Sequence, residues 1–176
     1  MSNNKYDDYD ADEIIKNIVT RTETEGQKDP YKAVNPVSGA LGKYQFLSPY
    51  QKEPIEKKYQ IPFEEIVNYP EIQEDYFKTS LLPGYKAAAE RRMKEFPEAN
   101  IEFPILAAVQ QLGPTNVKRY LQGKIKNPDL LKQFDRFFKI GNEELSKHKF
   151  SKIRSLMDSR LPADSNITKK ETGNKR

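Results

Sequence analysis

The spacing of apolar residues limits this chain most. Through its second half they recur three and four positions apart, as in Ile72, Tyr76, Phe77 and Leu81, and again in Leu130, Leu131, Phe134, Phe137 and Phe138. That period is helical, and no stretch of the chain alternates apolar and polar residues for long enough to make a half-buried strand. An all-α (mainly α) fold is expected, with room for no more than a minor β-hairpin.

The first helix of this kind carries Ile14, Ile15, Ile18 and Val19 on one stripe, with Asp12 as its expected cap and an end near Glu25 and Gly26. Residues 27–42 then turn to Pro, Asn, Ser and Gly, a loop too long to be a mere connection. Ser48 and Pro49 open the next helix, which Pro54 must shorten or bend. Farther on, Pro83 and Gly84 are expected to break the helical run. Pro104 opens a stretch apolar enough to be a buried central helix, and Gly113 with Pro114 ends it and starts another. The Phe134 stripe is expected to stop at Gly141, before a last stripe of Phe150, Ile153, Leu156 and Met157.

With 176 residues, one domain is expected, at 12–163, between a flexible acidic arm at 1–11 and a flexible basic tail at 164–176. Only 36% of the residues are hydrophobic and 32% are charged, but nine Phe and ten Tyr supply the bulk for a small aromatic core. No apolar run reaches the roughly 20 residues that span a bilayer, so no membrane span is expected, and the N-terminus lacks the pattern of a signal peptide. One His and no Cys argue against a zinc site, and no metal or cofactor is expected. The net charge of +4 comes without a nucleic-acid reading motif, so nucleic acid is not an expected partner; the same charges suit an acidic cell-wall polymer.

The chemistry-bearing segment runs from Thr22-Glu23-Thr24-Glu25-Gly26 through Ala33-Val34-Asn35-Pro36 to Ser38-Gly39-Ala40-Leu41-Gly42-Lys43-Tyr44-Gln45-Phe46. A carboxyl at the end of a helix with Ile and Val neighbours can be desolvated enough to keep its proton near neutral pH, as a general acid at a glycosidic bond must. Gly39 and Gly42 are either turn residues or places where the loop backbone can approach a sugar. Gln45 offers a donor and an acceptor to hydroxyl or acetamido groups, and Tyr44 a flat surface with a polar tip. Phe46 reads as core.

This segment resembles the active-site signature of the lytic transglycosylases and goose-type lysozymes: a Glu ending a helix, a Ser or Thr, a Gly, then an Ala-Val-Asn-Pro turn and a Gly-Ala-x-Gly-x-x-Gln block. The Gly42-Lys43-Tyr44-Gln45-Phe46 wording is similar to the phage branch. A second block, Leu106-Ala107-Ala108-Val109-Gln110-Gln111-Leu112-Gly113-Pro114, resembles the family's Ala-Ala-Tyr-Asn-Ala-Gly-Pro helix end, with one extra residue and without its Tyr.

The resemblance implies a lysozyme-like domain and peptidoglycan glycan strands as substrate. Glu23 is the implied acid, with Glu25 as the alternative because the loop before Ala33 is longer than usual. Thr24, Ser38, Tyr44, Gln45 and Gln110 are the implied substrate-binding residues. An ordinary glycosidase needs a second carboxylate; Asp29 is the near candidate in the loop, and Glu53 or Glu56 would have to fold back. The transglycosylase route dispenses with it, because the substrate's acetamido group and C6 hydroxyl close a 1,6-anhydro ring on N-acetylmuramic acid. The phage-like wording implies a virion-associated enzyme acting on the host cell wall during genome delivery, with other virion proteins as further partners. The alternatives are a peptidoglycan hydrolase with a second carboxylate and a non-catalytic virion protein that retains the fold.

Overall fold

The computed structural model describes residues 10–158, with side chains described through 151 and at Arg154. The N-terminal arm up to residue 9, the basic tail, and the Ile153, Leu156 and Met157 part of the last stripe lie outside the residues so described.

Helix α1, Ala11–Thr24, begins two residues earlier than the expected cap implies. Asp10, not Asp12, is the N-cap: its carboxylate accepts the Glu13 N–H at 3.0 Å, which leaves Asp12 in the acidic first turn. The stripe of Ile14, Ile15, Ile18 and Val19 is wholly buried. After the long loop come α2, Ser48–Tyr59, which accommodates Pro54 in its interior, and α3, Pro70–Tyr76.

Pro83 and Gly84 do not break the chain's helical path. Between α3 and α4, Leu82–Glu95, the backbone stays right-handed helical through a π turn, Phe77–Leu81. A proline ring normally collides with the carbonyl four residues back and leaves it without a donor. The wider π turn sits just where that carbonyl, Thr79, lies, and so absorbs Pro83 in the first turn of α4.

Helix α5, Phe103–Ala108, is buried at every residue, as a central helix must be, and packs against α1, α4 and α7. A 3-10 turn, Val109–Leu112, carries it to Gly113, whose φ of +93° turns the chain into α6, Pro114–Leu121. The final helix α7 is one element, Pro128–Asp158, and does not stop at Gly141. Gly141 is there for space: a Cβ on it would stand 2.7 Å from Cγ1 of Ile105, so the glycine is what lets α7 lie close against α5.

The fold is mainly α. Two isolated antiparallel bridges, Val34 with Leu41 and Leu41 with Phe46, are its β content among the described residues. They fold the loop back on itself beside the end of α1. No helix among the described residues is long and apolar enough to cross a membrane.

Candidate active site

Glu23 lies in the last turn of α1, half-buried, and its carboxyl has no hydrogen-bond or ion-pair partner among the described residues. Burial pushes its pKa from the ordinary 4.5 to about 7, against the opposing pull of the Arg136 guanidinium on α7. A group in this state carries its proton through much of the neutral range.

Two residues on, the environment is different. Glu25 is exposed and held by Arg21, whose Nη2 and Nε donate to its Oε1 at 3.0 and 3.1 Å. Arg21 also donates to Glu143 and Glu144 of α7, both at 2.8 Å, so one guanidinium ties the end of α1 to α7 and takes Glu25 with it. The alternation of 23 and 25 across the helix end separates a carboxyl that is free and desolvated from one that is paired and wet.

The loop reaches this helix end through hidden polar residues. Gln73 of α3 is fully buried, and every bond it makes holds the loop or its neighbour: Oε1 accepts from Lys43 N at 2.8 Å, and Nε2 donates to the Tyr31 and Ile66 carbonyls at 2.9 Å. Glu74 accepts from Lys43 Nζ at 2.6 Å and from the Tyr31 and Tyr44 hydroxyls at 2.8 and 2.9 Å. Burial works to raise the Glu74 pKa, but these three donors outweigh it and hold the carboxyl below the usual range.

Against this frame several expected substrate contacts become structural. The Tyr44 ring is wholly buried and stacks on Phe77 with centroids 4.1 Å apart, so it offers no surface to a sugar. Thr24 is buried too: its hydroxyl donates to the Thr20 carbonyl at 3.0 Å and stands 3.5 Å from that of Lys43, holding the loop to α1. Ser38 is exposed and its Oγ accepts from Ala40 N at 3.3 Å within the turn. What approaches Gly42 is the Gln73 side chain, not open space for a ligand, and its φ of +75° adds a second reason for glycine. Phe46 is core, as expected.

Gln45 and Gln110 meet on one cleft of about 640 Å³, walled by the turn after Gly42, the start of α2 and the 3-10 turn after α5. Gln45 adopts φ +51° and donates from Nε2 to the Gly42 carbonyl at 2.9 Å. Gln110 is 2% exposed; Nε2 donates to the Leu106 carbonyl at 3.0 Å, while Oε1 is a buried acceptor without a partner. Three further wall residues, Gln51, Tyr85 and Gln111, were not singled out by their sequence context. The Tyr85 hydroxyl donates to Gln111 Oε1, and Gln111 Nε2 donates to the Tyr44 carbonyl at 3.0 Å. Burial raises the Tyr85 pKa, and the charge of Glu23 raises it further, although Glu23 is not itself one of the residues that wall the cleft. No residue of the cleft wall is charged, in a chain that is 32% charged overall.

Compared with family models, curated proteins and solved structures, the chain matches none.

Proposed function

We propose that this protein is a peptidoglycan lytic transglycosylase that cleaves the β-1,4 bond between N-acetylmuramic acid and N-acetylglucosamine, with Glu23 as its acid and then its base. The observation that carries the reading is the unpaired, desolvated Glu23 carboxyl with a pKa of about 7, whose charge acts on Tyr85, a wall residue of an uncharged, amide-lined cleft. The segment that bears it is the one that resembles the family's signature.

The chemistry follows in two steps. Protonated Glu23 gives its proton to the bridging oxygen as the bond to C1 of N-acetylmuramic acid breaks, with the substrate's acetamido carbonyl oxygen supporting C1. The Glu23 carboxylate then takes the C6 hydroxyl proton as O6 bonds to C1, closing the 1,6-anhydro ring. The net transfer is one proton from O6 to the leaving oxygen, and no water is consumed.

Hydrolysis of an ordinary glycosidase kind needs a second carboxylate. The sequence candidates for that role are engaged or placed elsewhere. Asp29 accepts the Tyr31 N–H at 3.1 Å, Glu56 accepts the Phe63 N–H at 2.9 Å, and Glu53 lines a separate hollow. Carriage in a virion, with delivery to the host wall during genome transfer, is part of the same proposal and rests on the phage-like wording alone.

Mass spectrometry of digested sacculi tests the chemistry. Muropeptides with 1,6-anhydro ends, lost with Glu23→Gln and kept with Glu25→Gln, are the expected products. Reducing ends would make the protein a hydrolase, and sacculus binding without any soluble fragment would make it a non-catalytic binder.

A further inference from the structure

The cleft's polar groups show what it is built to hold. Each amide near its mouth has one end committed to the backbone, which fixes how the amide is turned. Gln51 Oε1 accepts the Leu47 N–H at 2.7 Å, so Nε2 is the end left for a ligand; Gln45 Nε2 donates to the Gly42 carbonyl, so Oε1 is left. A free donor on Gln51 and free acceptors on Gln45 and, deeper in, Gln110, with no charge on the wall, suit a neutral partner rich in hydroxyl and amide groups.

At the same mouth stands Tyr50, 71% exposed, on the first turn of α2. Its backbone N–H is bonded to the Leu47 carbonyl at 3.0 Å, so the ring is presented from a fixed element. Tyr50 also borders a second hollow of about 680 Å³ that carries Lys52, Glu53, Glu56 and Lys57. The ring therefore marks the line where the uncharged cleft gives way to charged surface. A large exposed aromatic at such a line calls for a partner in a way that a scattered apolar residue does not.

We propose that Tyr50 is the outer platform of a saccharide subsite, on which the apolar face of an N-acetylhexosamine stacks while Gln45 and Gln51 meet its polar edge, so that the protein reads the neutral sugar backbone and not the charged peptide stem. This rests on the saccharide reading of the cleft, but not on Glu23 being catalytic.

The test is equilibrium binding of chitotetraose, a neutral N-acetylglucosamine chain without peptide, measured by calorimetry on the full chain. Tyr50→Ala is expected to weaken binding about fivefold, as loss of one aromatic contact implies, and Tyr50→Phe to keep it. The N-deacetylated tetramer, which carries ammonium groups, is expected to bind more weakly than chitotetraose.

Unchanged binding in Tyr50→Ala overturns the proposal, as does a wild type that binds isolated stem peptides but no chitotetraose. The two readings fail separately. Tyr50-dependent binding without any release of fragments from sacculi sinks only the catalytic one, whereas fragment release with Tyr50-independent binding sinks only this one.

Discussion

Glu23 has an ordinary pKa of 4.5 in the unfolded chain and about 7 in the folded one, so the folded state holds the proton more tightly. The sign follows. Below pH 4.5 the group costs nothing, the cost grows as pH rises from 4.5 toward 7, and above 7 the ionised carboxyl destabilises the fold in full. The displacement corresponds to roughly 3 kcal/mol, and about 2 kcal/mol once solvent access to a half-buried group is allowed for. Glu23→Gln is therefore expected to raise the melting temperature at pH 8 and to leave it unchanged at pH 4, a comparison that calorimetry at the two pH values makes directly. Arg136 opposes the upward shift, so Arg136→Gln is expected to move the Glu23 titration, followed by NMR of the side-chain carboxyl, above 7. A titration that moves down, or stays, contradicts the role given to that guanidinium.

Among the elements, close contacts decide which substitutions matter. Gly141→Ala places a methyl against Ile105, and the overpacking outweighs the gain in helix propensity; a net loss of about 1–2 kcal/mol in urea unfolding is expected. Gln73→Leu strands the Lys43 N–H and the Tyr31 and Ile66 carbonyls at once, and should cost about 3 kcal/mol while loosening the loop beside Glu23. The helical period made the elements legible, including the buried α1 stripe and the apolar α5. It could not show that α7 runs through Gly141, because a glycine that stops a helix and one that admits a neighbour read alike. Pro83 was misleading for a similar reason: the π turn that absorbs it leaves no mark in composition. Motif spacing separated Glu23 from its surroundings but said nothing of which neighbours face a cleft. Tyr44 and Thr24 brace the loop from behind, Gln111 faces the cleft from within the second block, and Tyr85 reaches it from a helix that belongs to neither block.

On the scale of the whole molecule, Glu23 in the last turn of α1 acts through its charge on Tyr85 of α4, and Tyr85 helps to wall a cleft shared with the loop turn, α2 and the turn after α5. The Tyr85, Gln111 and Tyr44 carbonyl chain fixes the Tyr85 hydroxyl as a donor to Gln111 and ties α4 to the loop. Tyr85→Phe leaves Gln111 without that donor, and is expected to lower the rate of sacculus solubilisation about tenfold with little change in fold, as checked by circular dichroism. Arg21 supports the same arrangement from the other side by binding Glu25, Glu143 and Glu144 together. The account stands or falls on a proton kept by Glu23 at neutral pH and delivered to a glycosidic oxygen. Its most direct test is the rate of soluble glycan release from purified sacculi as pH is varied, with Glu23→Gln as the blank. The account predicts release that falls as pH rises through about 7 and is absent in the variant. A rate that already falls near 4.5, or release that survives Glu23→Gln, contradicts it.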